Sequence, residues 1–191
     1  MIRYKKEQLI MLLLDKVTCK GGKQLKKIKF NVAEEKDLQE IFSIFSAAIE
    51  EMNKHNIPQW DEVYPDKYIL QNDIKKKQLY IGKIDSEIVC VYVLNSDCDE
   101  QYINGNWEYP NAIYSVIHRM CVNPKFQNQG IGALTLNHIE EKLKSAGVET
   151  IRLDAFSLNP FALKMYYKQG YIKVGEANWR KGKFYLMEKK L

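Results

Sequence analysis

The residues whose types and spacing point most directly to chemistry are Gln127-Asn128-Gln129-Gly130-Ile131-Gly132, which lie between an apolar run and an amphipathic segment. Glycine has no Cβ, so Gly130 and Gly132 let backbone N–H groups approach a ligand closely. A helix opening near Gly132 adds unpaired first-turn N–H groups and the positive end of its dipole, all aimed at the same point. Such a loop cradles an anion, and a pyrophosphate suits it. An isolated G-x-G more often makes only a tight strand-to-helix turn, so its surroundings have to decide.

Other groups able to act on a substrate are scattered. His118 lies on the apolar run Ala112 to Val122, and an imidazole with an ordinary pKa of about 6.5 can take a proton at neutral pH. Glu108 is a weaker alternative base, and His138 falls on the outer side of its helical stripe and is expected to be solvated. Cys121 has no acid or base partner at a recognisable spacing, which argues against a covalent intermediate. The four cysteines, Cys19, Cys90, Cys98 and Cys121, form no C-x-x-C pair and no histidine stands at ligand spacing, so no metal site is expected.

The elements that must position these groups follow from periodicity. Ile28, Phe30 and Val32 alternate with polar residues as on a half-buried strand, and Leu38, Ile41, Phe45, Ala48 and Met52 form one helical stripe. The loop from His55 to Pro65 carries Trp60, Asp61 and Tyr64, an aromatic wall and a carboxylate able to recognise a cationic acceptor. A second helix is expected over Asp66 to Lys76, then a hairpin of Leu79 to Lys83 with Ile88 to Leu94. A polar and aromatic insert, Ser96 to Asn111, leads into the strand ending at Val122. Ala133, Leu136, Ile139, Leu143 and Ala146 share a helical face that Gly147 terminates, and Thr150 to Ala155 forms the next strand. Asn159-Pro160 then opens another helix with a capping side chain and a proline at its first position, and Gly170 closes it. Tyr171 to Val174 and Phe184 to Met187 read as the last strands.

Gln127, Gly130 and Gly132 in their strand-to-helix setting resemble the Q/R-x-x-G-x-G/A motif of the GNAT superfamily of N-acetyltransferases. The later Asn159, Ala162, Tyr166, Gly170 and Tyr171 are similar to its N-x-x-A-x-x-x-Y-x-x-x-G-F/Y signature. The resemblance covers residues 27–191 and leaves 1–26 as an N-terminal extension of unknown role. It implies an α/β (α+β) fold with a mixed, mostly antiparallel sheet of six to seven strands, helices on both faces, and a splayed parallel strand pair holding acetyl-CoA. The activity implied is transfer of an acetyl group to a primary amine by direct attack in a ternary complex. The alternatives are protein N-terminal or lysine acetylation, and a non-catalytic acyl-CoA-binding module.

The same resemblance distributes roles. Gln127, Asn128, Gln129, Gly130, Ile131, Gly132 and Ala133 surround the pyrophosphate. The backbone of Met120, Cys121 and Val122 pairs with pantetheine, and Asn159 contacts the same region. Tyr166 becomes the acid that protonates the leaving thiolate, and His118 the candidate base. Trp60, Asp61 and Tyr64 border the acceptor.

Composition narrows the remainder. At 191 residues, 46% hydrophobic and 28% charged, the chain suits one domain with a substantial core. The apolar run Leu9 to Leu14 is far shorter than the roughly 20 residues of a membrane span. It lacks the pattern of a signal peptide as well, so a cytoplasmic protein without membrane association is expected. The formal charge of +5 is spread along the chain, which suits an anionic cofactor better than nucleic acid. A homodimer is left open.

Overall fold

The computed structural model describes residues 27–191; the extension expected over 1–26, with Cys19, lies outside the described residues. Seven strands form one sheet in the order β1-β2-β3-β4-β5-β7-β6. They are β1 (Lys29–Val32), β2 (Leu79–Ile84), β3 (Glu87–Asn95), β4 (Tyr114–Val122), β5 (Thr150–Phe156), β6 (Ile172–Trp179) and β7 (Gly182–Lys190). Every neighbouring pair is antiparallel except β4 and β5. Among the described residues four α-helices accompany the sheet: α1 (Leu38–Lys54), α2 (Lys67–Lys75), α3 (Ile131–Ser145) and α4 (Pro160–Lys168).

The helices begin and end where local chemistry requires. Glu34 and Asp37 cap each other reciprocally before α1, and the Asp66 carboxylate accepts the Ile69 N–H at 2.7 Å to start α2. Asn159 does the same for Ala162 at the start of α4, 3.0 Å away, with Pro160 following. Gly147 and Gly170, with φ of +82° and +85°, stand just beyond α3 and α4, where the chain turns left-handed.

Alternation along the strands sorts the core onto two faces. Val91, Val93 and Cys121 pack with α1 and α2, whereas Tyr92, Leu94, Ile117, Leu153 and Ala155 pack with α3 and α4. On the α1/α2 face, the β4-to-β6 half of the sheet is covered by the insert. There Tyr102 joins Val116, Val174, Ala177 and Leu186, with Trp107 beside them. The insert thus carries structure that its sequence pattern does not announce, a short 3-10 helix over Glu100–Asn104. Its anchor is Glu188, only 1% exposed, which accepts the backbone N–H of Glu108 at 2.8 Å and faces Arg152 at 3.4 Å. Arg152 in turn lies between the rings of Trp107 and Tyr114, 4.3 and 4.1 Å from their centres. Removing one member of such a buried ion pair typically costs about 3–5 kcal/mol, so the insert is held firmly against the sheet.

His138 departs from expectation. Its ring stacks on Phe30 with centroids 3.9 Å apart, so it is half-buried against β1 rather than solvated.

Candidate active site

The two parallel strands pair only over Tyr114 to Ile117 and Thr150 to Leu153, although β4 continues to Val122 and β5 to Phe156. Their divergence has a local cause. On the β3 side, Val91 faces Cys121 and Val93 faces His118, so β4 carries one extra residue there. Arg119 sits in that bulge with φ of +49°, a left-handed conformation uncommon for a side chain of its size. The bulge bends β4 away from β5 and leaves the β5-facing edge of Met120, Cys121 and Val122 without a partner strand.

The loop leading to α3 leaves its backbone N–H groups open, a geometry that suits an anion. Gly130, with φ of +81°, is the N-cap of α3 and has no side chain to fill the first turn. The N–H groups of Ile131, Gly132 and Ala133 are therefore left for a ligand. A Cβ added at Gly130 would meet nothing within 4 Å, so the space over the turn is open. Asn128 is also left-handed, with φ of +60°, and together with Gln129 it is exposed on the same loop. The Gln127 side chain folds back to donate to the Val122 carbonyl at 3.3 Å, fixing the loop to the end of β4. Gly132 serves packing as well. A Cβ there would stand 2.6 Å from the Met165 sulfur, so the missing side chain lets α4 pack against α3.

A cavity of about 460 Å³ opens where β4 and β5 diverge. Its wall includes Trp60, Tyr64, His118, Arg119, Met120 and Tyr166, together with Tyr102 and Asp154. It therefore joins the two faces of the sheet, since Tyr166 belongs to the α3/α4 core and Tyr102 to the opposite one. Tyr166 is 7% exposed and meets Tyr171 edge-on at 5.7 Å, while Tyr167 is 49% exposed and turns outward. Burial raises the Tyr166 phenol well above the ordinary range, which keeps it protonated at neutral pH.

The acceptor loop is tied to both sides of this cavity. Tyr64 accepts a hydrogen bond from Arg119 Nη1 at 2.8 Å, and Arg119 also pairs with buried Asp73 on α2, Nε to Oδ2 at 2.9 Å. Asp61 receives both terminal nitrogens of Arg180 at 2.8 Å and Lys181 at 3.1 Å, and these cations hold its carboxyl far below the usual range. Its charge is thus committed to the turn between β6 and β7 rather than left facing a substrate. Trp60 both packs on Phe45 of α1, with ring centroids 5.3 Å apart, and lines the cavity. Asn159 combines its capping role with donation to Gln59 at 2.8 Å, and Gln59 lies on the cavity wall.

His118 is half-buried on the wall with Nε2 2.9 Å from Asn95 Oδ1. Burial, with Arg119 beside it, lowers its pKa from the ordinary 6.5 to about 4, so the ring is neutral at pH 7. Glu108 is exposed on the insert and does not line the cavity. Cys121 is buried, which pushes its thiol up to about 12 and removes the thiolate that covalent catalysis needs.

Asp154 and Tyr102 were not anticipated by sequence spacing. Asp154 is the one acid of β5 and accepts the Tyr102 hydroxyl at 2.9 Å from the insert. The only signal in the sequence is a carboxylate set in the otherwise apolar stretch Leu153-Asp154-Ala155-Phe156. Among the described residues no group of three or more His, Cys, Asp or Glu is placed to hold a metal ion, and no helix is long and apolar enough to cross a membrane.

Comparison with known proteins agrees with this geometry. The family model described as Acetyltransferase (GNAT) family matches residues 46–171, more than half of the chain. The chain belongs to the GNAT family. Among its GNAT relatives is the S-(2-succino)cysteine N-acetyltransferase of Bacillus subtilis (strain 168), 24% identical over 166 residues, covering 86% of this chain and 96% of the relative. A GNAT acetyltransferase structure from Streptococcus agalactiae 2603 matches with a TM-score of 0.75 at 20% identity, over 86% of this chain and 95% of that one. The PaiA N-acetyltransferase of Thermoplasma acidophilum, solved in complex with coenzyme A, matches with a TM-score of 0.65 at 18% identity, over 86% and 99% of the two chains. The seven-stranded mixed sheet and its helices on both faces are those of the GNAT fold.

Proposed function

We propose that this GNAT protein moves the acetyl group of acetyl-CoA onto the primary amine of a small molecule, by direct attack while both substrates are bound. The observation that carries the proposal is the cavity at the strand divergence. It opens where β4 leaves β5, with Met120 on its wall, and is walled by Tyr166 on one face of the sheet and by Trp60 and Tyr64 on the other.

The backbone N–H groups of residues 128–133 suit the pyrophosphate, since Gly130 leaves the first turn of α3 uncapped. The unpaired edge of Met120, Cys121 and Val122 suits the pantetheine amides, which would continue the sheet where β5 has turned away. Asn159, which donates to Gln59 on the cavity wall, is assigned to the pantetheine as well. Tyr166 holds a proton at neutral pH and supplies it to the departing thiolate. Trp60 and Tyr64 enclose the acceptor, while Asp61 acts indirectly by locking their loop to Arg180 and Lys181. For His118 a place in the acceptor wall is supported, with Asn95 orienting its ring.

A small acceptor is favoured because the cavity walls are joined through Asp61 and Arg119, which leaves a bounded space rather than an open groove for a polypeptide. The Bacillus subtilis relative is likewise named for a small molecule. The test is release of free thiol from acetyl-CoA with a panel of S-(2-succino)cysteine, free amino acids, polyamines and short peptides. Turnover of a small amine is expected. Turnover confined to peptides would overturn the small-molecule assignment, and coenzyme A binding with no turnover of any amine would leave a binding module.

A further inference from the structure

The charges around the cavity are balanced in an uneven way. Every cation on its wall is already committed: Arg119 to Asp73, and Arg180 and Lys181 to Asp61. Two wall carboxylates remain. Asp99 is exposed and accepts the Gln101 N–H at 3.0 Å as the cap of the insert's 3-10 helix. Asp154 lies deeper, in the sheet itself, and among the described residues it has no ion pair; its one hydrogen-bond partner in a side chain is the Tyr102 hydroxyl on Oδ2. A carboxylate has capacity for about four hydrogen bonds, so room remains on it for a ligand donor. An anionic group without a partner, set in a bounded cavity, is complementary to a cation, and an amine acceptor arrives as an ammonium ion at neutral pH.

We infer that Asp154 binds the acceptor's ammonium group and takes its proton, with Tyr102 as the positioning residue that holds the carboxylate toward the cavity. This rests on the acetyl-transfer proposal above. His118 fits the task less well, because a neutral imidazole gives no charge to attract an ammonium and its Nε2 is engaged by Asn95. Asp154 and Tyr166 face the cavity from opposite faces of the sheet, which separates the group that takes a proton from the group that gives one.

The proton balance closes. Asp154 takes one proton from the ammonium, and the free amine attacks the thioester carbonyl, forming the C–N bond. The C–S bond breaks, and the leaving sulfur takes the Tyr166 hydroxyl proton. The second proton lost by nitrogen restores Tyr166, and the one on Asp154 goes to solvent, giving amide, free thiol and one released proton.

The groups facing Asp154 set the direction of its titration. Burial raises its pKa above the ordinary carboxylate range, and Asp99 adds to this from the insert. The Tyr102 hydrogen bond and Arg119 on β4 pull it back. Tyr64 from the acceptor loop and Tyr166 from α4 are protonated at neutral pH, and the neighbouring position on β7 is apolar Leu186. Loss of the Tyr102 hydroxyl therefore moves the Asp154 titration to higher pH.

Two measurements test this on the whole chain. First, 13C NMR of aspartate-labelled protein without ligand, assigned with Asp154→Asn, should show this carboxyl titrating above the ordinary range, and Tyr102→Phe should move it upward. Second, thiol release from acetyl-CoA is followed from pH 5 to 10 with S-(2-succino)cysteine, free amino acids, polyamines and short peptides as nucleophiles, beside a blank without amine. Asp154→Asn should lose about 10²-fold in kcat/KM together with the acidic limb of the profile, while calorimetric coenzyme A affinity is unchanged. An Asn variant that keeps both rate and limb overturns the role of Asp154 and leaves acetyl transfer standing. A parent protein that binds coenzyme A yet releases no thiol to any of these amines overturns both.

Discussion

Tyr166 and Tyr167 are adjacent in sequence, and only one of them can reach the chemistry. A one-residue step along a helix turns the side chain by about 100°, which carries Tyr166 into the cavity and Tyr167 into solvent. If the Tyr166 hydroxyl protonates the thiolate, Tyr166→Phe removes an interaction that strengthens only as the thioester breaks. Its kcat should fall about 10²-fold, the lower end for acid catalysis because a thiolate leaves readily, with coenzyme A affinity unchanged by calorimetry. An unchanged kcat, with chemistry rate-limiting, removes this tyrosine from the mechanism. His118 makes a prediction about stability instead. Its pKa falls from 6.5 to about 4 on folding, so below pH 6.5 the unfolded chain takes up a proton that the folded one refuses. Stability present at pH 7 is lost as pH falls through that window, by an amount of order 3 kcal/mol for a shift of this size. The raised carboxyls of Asp73 and Asp154 act in the opposite sense, so the comparison that isolates His118 is with His118→Gln. Urea unfolding should show the parent losing more stability than the variant between pH 7 and 4; parallel losses would contradict the burial argument.

At the scale of elements, the packing of α3 on α4 depends on Gly132. Adding a methyl group there drives Cβ to 2.6 Å from the Met165 sulfur, and overpacking of this kind typically costs about 1–3 kcal/mol. Gly132→Ala should lower the melting temperature, and Met165→Ala introduced alongside it should cost less than the two single losses added together, because the vacated space receives the new methyl. Strict additivity in that double-mutant cycle would show that the two side chains do not meet. The elements themselves were largely legible, because capping and turn residues act within a few positions: Asn159 before Pro160, Gly147 after α3, Asp66 before α2. The insert was less so. Tyr102 finds Asp154 at a separation of 52 residues and Asp61 finds Arg180 at 119, and neither periodicity nor local chemistry reports a pairing across such distances. The bulge at Arg119 is hidden for a related reason, since an extra residue in an apolar strand shows only against its partner's register.

For the molecule as a whole, the order of the sheet determines where the site forms. Antiparallel pairing closes every junction except that between β4 and β5, and the bulge in β4 opens this one pair from Ile117 onward. The gap connects a helical face carrying Tyr166 and the cofactor loop with a face carrying the acceptor loop and the insert. The loop between β4 and α3 was legible in the sequence because glycine and a helix start carry their own physical meaning. The acceptor side was only partly so: Trp60 and Tyr64 reach the cavity, but its wall carboxylates are Asp99 and Asp154, while Asp61 is paired with Arg180 and Lys181. One gap through the sheet is expected to bring both substrates to Tyr166. A crystal structure of the coenzyme A complex tests it most directly. The pyrophosphate is expected over the N–H groups of Ile131, Gly132 and Ala133, pantetheine along Met120 to Val122, and the thiol within hydrogen-bond reach of the Tyr166 hydroxyl. Coenzyme A bound outside the β4/β5 gap, or with its sulfur facing away from the cavity, would contradict it.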